Sequence, residues 1–236
     1  MVEHPSYPDD TREPVPNWRA RPACRARTMV GRWVTLEPFD EARHAEPLWQ
    51  AFDGEALNER IRWFGWPWLT GASDLAAQIE KHGSSGWSTL VFVREGASLG
   101  MASYMREDAA NGVIETGAIA MSAAIARSTA ATEGHAMMMR HAFELGYRRY
   151  EWKCDAANTQ SRRAAARLGF TEEGTFRQHM VKHGRNRDTC WFSMLDDEWP
   201  RVSAALEAWL TPSNFDGEGR QRQSLSILMR SRGAGS

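Results

Sequence analysis

The stretch "AIARSTAATEGHAMMMRHAFE", Ala124–Glu144, decides the fold. It lies between two segments of strand character, Gly112–Met121 and "YRRYEWKCD", Tyr147–Asp155. Arg127-Ser128-Thr129 opens a helix predicted over Thr129–Leu145, and Gly146 closes it in the left-handed position that commonly ends a helix. In the following segment Tyr150, Trp152 and Cys154 alternate with Glu151, Lys153 and Asp155, which is the period of a strand. Strand, loop, helix and strand thus form one crossover unit. A helix that opens directly from a strand leaves up to four N–H donors free, and its dipole favours an anion there. Loops with that task normally contain glycine, yet none lies between Arg127 and Glu133.

Upstream, "GRWVTLEPF" alternates as a first strand, and Asp40 is a natural cap for a helix running to Gln50. "IRWFGWPWLT" is an aromatic, proline-interrupted segment, and Asp74–His82 reads as a short helix. Ser88–Arg94 and Ser98–Met105 are strands joined by the hairpin turn "EGAS". Downstream, "TQSRRAAARLG" is a helix ending at Gly169, and "GTFRQHMVKHGRNRDTCWFSML" is a long hairpin turning at His183–Asn186. Asp196 or Asp197 caps a last helix through Leu210, with Pro200 in its first turn. The order β-α-α-β-β-β-α-β-α-β-β-α predicts an α+β (mixed α/β) single domain. Its twisted sheet is mostly antiparallel around a central β-α-β crossover. Residues 1–30 read as an extended arm, 31–210 as the domain and 211–236 as a polar tail.

A chain of 236 residues with 42% apolar and 25% charged content is an ordinary globular composition, and a net charge of −1 gives no general attraction to nucleic acid or an anionic membrane. No apolar run approaches the ~20 residues of a membrane-spanning helix, and the N-terminus lacks the pattern of a signal peptide. Cys24, Cys154 and Cys190 are odd in number and unpaired in spacing, which points to a reducing, cytoplasmic compartment and to no structural metal site.

Two constellations carry chemistry. In the first, Arg127, Ser128, Thr129 and Thr132 surround the helix start; the bland alternative is a simply capped helix. In the second, "CDAANTQSRRAAARLGF", Asn158 and Ser161 open a helix just after a strand, and Asn158 alone reads as an N-cap. No phosphate-binding G-x-x-x-x-G-K or dinucleotide G-x-G-x-x-G motif occurs around the crossover.

The Arg-x-x-small-x-small loop at a helix start, followed by a strand and then Asn158, Ser161 and Leu168-Gly169-Phe170, resembles the GNAT superfamily of acyl-CoA-dependent N-acetyltransferases. "EEGTFRQ" and Glu115-Thr116-Gly117 are similar to the branch containing the ribosomal-protein alanine N-acetyltransferases. The resemblance runs from about Gly31 to Leu195. It implies splayed fourth and fifth strands with the pantetheine arm of acetyl-CoA between them. Arg127, Ser128, Thr129, Ala130, Ala131 and Thr132 would then receive the pyrophosphate and Asn158 the pantetheine. Ser161 would lie near the sulfur, and a backbone N–H in Ala120–Ser122 would meet the oxyanion. Two departures stand out: Ala130 and Thr132 replace smaller residues of the pattern, and the tyrosine that many relatives use as general acid falls at Ala165.

Direct attack by an amine on the thioester needs a group that removes the ammonium proton, and Glu115 and Asp155 are the candidates. Cys154 shares a strand face with Trp152 and reads as a buried thiol rather than a nucleophile. His179 and His183 have no third ligand partner in the sequence. Trp63, Phe64, Trp66 and Trp68 either wall an acceptor pocket or pack a core. The resemblance implies an amine acceptor, of a small molecule or a protein N-terminus, and edge strands make a homodimer an expectation. Two alternatives stay open at this level. Arg177, His179, Lys182, His183, Arg185 and Arg187, with Arg220, Arg222, Arg230 and Arg232, form a possible phosphate track for an aminoacyl-tRNA donor. Loss of the tyrosine leaves room for a coenzyme-binding module without turnover.

Overall fold

The protein is described by a computed structural model covering residues 11–231. Residues 1–10 of the predicted arm and 232–236 of the predicted tail, Arg232 included, lie outside the described residues. The strands are β1 (Met29–Val30), β2 (Thr35–Pro38), β3 (Ser88–Arg94), β4 (Ala97–Asp108), β5 (Val113–Met121), β6 (Arg149–Asp155), β7 (Thr171–Lys182) and β8 (Arg185–Leu195). They form one sheet in the order β1-β2-β3-β4-β5-β6-β8-β7. Every neighbouring pair is antiparallel except β5–β6. The helices are α1 (Glu41–Ala51), α2 (Leu57–Ile61), α3 (Ala72–Gly83), α4 (Thr129–Glu144), α5 (Thr159–Arg167), α6 (Trp199–Leu210) and α7 (Leu225–Ser231).

Alternation along the strands divides the sheet into two apolar faces. Leu90, Phe92, Tyr104, Ile114, Tyr150, Trp152, Phe192 and Met194 look towards α4 and α6 and make the main core. Val91, Met101 and Ala120 look the other way, against Leu48, Leu57, Leu75 and Ile79 of α1, α2 and α3 and Phe52 at the end of α1. The central helix α4 lies very close to the sheet. A Cβ on Gly134 would stand 2.1 Å from Cε1 of Phe92, so only glycine fits there. Farther along, Glu133 accepts from the backbone N–H groups of Arg32, Trp33 and Val34, which fastens the β1–β2 turn to α4.

The predicted crossover is present: Asp40 caps α1 through the N–H of Arg43, Ser128 caps α4, and Gly146 and Gly169 follow α4 and α5 with positive φ. Four features differ from expectation. Part of the arm forms β1, and Cys24 is buried in the main core, while Trp18 Nε1 donates to Ala110 O at 2.7 Å. The short helix α2 precedes the aromatic segment and ends at its first residue, Ile61. The cap of α6 is Glu198, not Asp196 or Asp197, and its side chain makes no capping bond. The polar tail folds back as α7, whose Leu225 is buried, and Asn214 bonds to Trp209 O, Gln223 O and Gln223 N beneath it. Periodicity over so few residues is too weak to announce β1, α2 or α7; packing makes them.

Candidate active site

The site begins where β5 and β6 part. Their parallel ladder holds four pairs, from Val113↔Arg149 to Thr116↔Trp152, and then both strands continue with other partners on one side only. A bulge drives β5 away: Met101 pairs with Ala120 and Ser103 with Gly117, so Ala118 and Ile119 together oppose Ala102. Ala118 takes a φ of 48° to do so. Bulges bend a strand and re-aim its groups. Of the expected oxyanion donors, Ser122 N–H is already given to Leu99 O at 2.9 Å. N–H directions alternate along a strand, so Met121 N–H points to the opposite edge, into the wedge.

At the open end of the wedge stands the start of α4. Ser128 Oγ accepts from Ala131 N at 3.1 Å and donates to Ile125 O at 2.6 Å. Thr132 turns its hydroxyl inward, between Ser128 O and the guanidinium of Arg167. Ala130 is fully buried in the main core. Of the six residues expected to form the cradle, Arg127 is exposed and Thr129 half-exposed, and among the described residues the N–H of Thr129 has no backbone acceptor. The missing glycine is explained as well. The left-handed residue of the loop is Arg127, with φ 61°, which carries the strain at that single position.

Asn158 and Ser161 sit together at the start of α5. Asn158 Oδ1 accepts from Ser161 N at 3.1 Å, and among the described residues its amide nitrogen has no hydrogen-bond partner. Ser161 Oγ accepts from Trp152 Nε1 at 2.9 Å, which occupies one lone pair, and its hydroxyl also bonds the Cys154 sulfur. Cys154 lies beside it, buried, its thiol pushed up to about 11 chiefly by desolvation. A thiol so raised is a poor nucleophile at neutral pH. Ala165 is packed in the core. His135, between the rings of Phe92 and Trp152, is held neutral by burial, which lowers it to about 4.

The two carboxylates lie on the other face, at different depths. Glu115 is opposite Glu151 at the closed end of the wedge, and its side chain is 2% exposed. Burial raises it to about 6, against the opposing pull of Lys153 and Arg106. Its Oε2 is 3.4 Å from Lys153 Nζ and 3.6 Å from Arg106 Nε. Asp155 is four residues beyond Glu151, roughly 13 Å along the strand. Asp155 Oδ1 accepts from Ala157 N at 2.9 Å, which shapes the turn into α5, and Oδ2 faces Arg187 Nε at 4.0 Å.

The aromatic segment is divided between both readings. Trp66 is buried and stacks on His82, whereas Trp68 is exposed. Phe64 O accepts from Lys182 Nζ at 2.8 Å, tying the β7–β8 hairpin to the segment after α2. The basic hairpin does not present one track: Arg177, His183 and Arg185 are exposed, while Arg187 is buried and Lys182 turns inward. Arg220 is paired with Asp216 and Glu218. His179 Nδ1 is 2.9 Å from Thr189 Oγ1 and packs against Trp191 and Phe176. Sequence reasoning missed Lys153, Arg106, Arg187 and Trp191 as a group around the carboxylates. The strand alternation that places Lys153 with Asp155 was the available signal. A recess of about 960 Å³ lined by Phe39, Ile79 and Trp87 lies away from the splay and holds none of these groups.

Comparison with known proteins agrees with this geometry. Residues 34–171 match the family described as acetyltransferase (GNAT) domain. A GCN5-related N-acetyltransferase from Brucella melitensis is 41% identical with a TM-score of 0.87, over 92% of this chain and 100% of that one. A probable GNAT-family acetyltransferase from Chromobacterium violaceum ATCC 12472 is 33% identical with a TM-score of 0.74, over 84% and 100%. Mycobacterium smegmatis RimJ, solved in complex with CoA-disulfide, shares the fold at 19% identity and a TM-score of 0.62, over 74% and 88%. No curated protein matches the sequence.

Proposed function

Since the chain belongs to the GNAT acetyltransferase family, we propose that it moves the acetyl group of acetyl-CoA directly to a primary amine at the β5–β6 splay. The observation that carries this reading is the ladder ending at Thr116↔Trp152, with a buried carboxylate at its closed end and a free helix start at its open end. The coenzyme supplies an activated acyl thioester. Arg127 and the N–H of Thr129 fit a pyrophosphate at the positive end of α4. The unused amide nitrogen of Asn158 fits a pantetheine carbonyl.

Glu115 acts as general base. A carboxylate raised to about 6 is ionised at neutral pH yet basic enough to take a proton from an ammonium, directly or through water. Met121 N–H donates to the carbonyl oxygen as charge develops on it. Ser161, oriented by Trp152, donates its O–H to the departing sulfur. Asp155, used by its own turn, positions the start of α5 and Arg187 rather than taking the proton. The reading extends to a cytoplasmic homodimer, supported by three buried, unbridged cysteines and by the edge strand β7, which exposes Phe176 and Val181. Among the described residues no helix is long and apolar enough to cross a membrane.

Titrating the protein calorimetrically with acetyl-CoA and desulfo-CoA, then assaying CoA release with an amine panel, tests the reading. Saturable binding and amine-dependent release support it. Binding without release for any amine would favour a coenzyme-binding module, and salt-sensitive binding of aminoacyl-tRNA in place of coenzyme would favour that donor.

A further inference from the structure

Apart from Glu151, which is paired with Arg149 at 2.6 Å, cations outnumber carboxylates on the acceptor face. Arg106, Lys153, Lys182 and Arg187 surround Glu115 and Asp155. Lys182 is satisfied by Phe64 O. Lys153 and Arg187 are less well served: their side chains are 8% and 10% exposed, and among the described residues Lys153 Nζ has only the long 3.4 Å contact to Glu115 Oε2, while Arg187 Nε has no hydrogen-bond acceptor. Trp191 Nε1 is also buried without an acceptor. Lys153 and Trp191 are register partners, and Asp155↔Thr189 places Arg187 two residues further along the same face of β8. Trp191 is also the ring over which Lys153 Nζ lies, 5.0 Å from the centroid.

Buried donors are nearly always paired in folded proteins, and buried charges need both a counter-charge and hydrogen bonds. The carboxylates nearby supply only long contacts, 3.4 Å and 4.0 Å. Lys153 is the first residue of β6 beyond its last β5 partner, so a group held there lies beside Glu115 at the vertex of the splay. We infer that Lys153, Arg187 and Trp191 Nε1 form a subsite for an oxyanion, and that the acceptor is a small amine carrying a carboxylate or phosphate. This rests on the acyl-transfer reading above. The anionic group anchors the acceptor while its amine meets Glu115.

The test uses amines matched in pairs: an α-amino acid with its amide, and an aminoalkyl phosphate with its amino alcohol. Binding is measured by calorimetry with and without CoA, and CoA release is measured with acetyl-CoA. The anionic member of at least one pair should bind about tenfold tighter or better. That preference should fall below about twofold in Lys153→Met and Arg187→Met and weaken in Trp191→Phe, which removes only the N–H. Which pair responds separates carboxylate from phosphate. Equal binding within both pairs, or a preference that survives in both Met variants, overturns the inference. Acetylation of neutral amines without such a preference would retain the acetyltransferase and remove the subsite. Anion preference without any coenzyme binding would do the reverse.

Discussion

Lys153 Nζ lies 3.4 Å from Glu115 Oε2, across two strands at the point where they separate. Burial opposes both charges: it raises the carboxylate and lowers the ammonium, and each is the main favourable partner of the other. Each charge therefore supports the other in a place where burial disfavours both, at the end of the β5–β6 ladder.

Catalysis should follow the ionisation of Glu115. Turnover is expected to rise with pH through about 6, as the base form accumulates. Glu115→Gln should lower kcat by roughly 10²–10³, within the range of general-base contributions, and lose that rise. Ser161→Ala should lower it less. A pH–rate profile of the three proteins decides this; an unchanged acid limb in Glu115→Gln assigns the limb to another group.

The same group makes stability depend on pH with a definite sign. Its pKa is raised from 4.5 to about 6 on folding, so the native state holds more protons between those values and stability falls as pH rises through the window. The loss amounts to about 2 kcal/mol once both states are ionised. Urea titrations at pH 4.5 and 7 should show wild type losing about this much more than Glu115→Gln. A difference near zero or of opposite sign would show that burial does not raise the carboxylate.

Arg127 separates binding from strain. Arg127→Ala and Arg127→Gly both remove the guanidinium and should raise KM for acetyl-CoA with kcat little changed. They differ in the backbone. At φ 61° glycine avoids the steric cost of a Cβ, so the Gly variant should be about 1 kcal/mol more stable than the Ala variant. Thermal unfolding of the two reads the difference directly.

Gly134→Ala should destabilise despite improving helix propensity. The new Cβ meets the Phe92 ring at 2.1 Å, and overpacking of this kind costs about 1–3 kcal/mol against a propensity gain of about 1 kcal/mol. A lower Tm is expected in scanning calorimetry. An equal or higher Tm would mean that Phe92 moves aside freely.

Legibility followed the range of the interactions involved. The crossover, the caps at Asp40 and Asn158 and the glycines after α4 and α5 could be read because they depend on neighbours three or four residues apart. The cap of α6 could not, since three acidic residues in succession offer equivalent local signals. At the candidate site, Glu115, Asn158 and Ser161 were visible as residues, but their surroundings were not. That Ser161 accepts from Trp152 depends on β6 lying beside α5. That Thr132 faces Arg167 rather than a ligand depends on how α4 and α5 pack.

The sequence by itself determined a mixed sheet with one β-α-β crossover, because periodicity, capping and turn chemistry are written into adjacent residues. Only the tertiary structure decided what the crossover encloses. The bulge at Ala118 ends the β5–β6 ladder after four pairs. Packing then buries Glu115, and strand pairing brings Lys153, Arg187 and Trp191 to one face with unused donors. Burial and charge arise from residues distant in sequence, and they set both the basicity of Glu115 and the sign of the field around it.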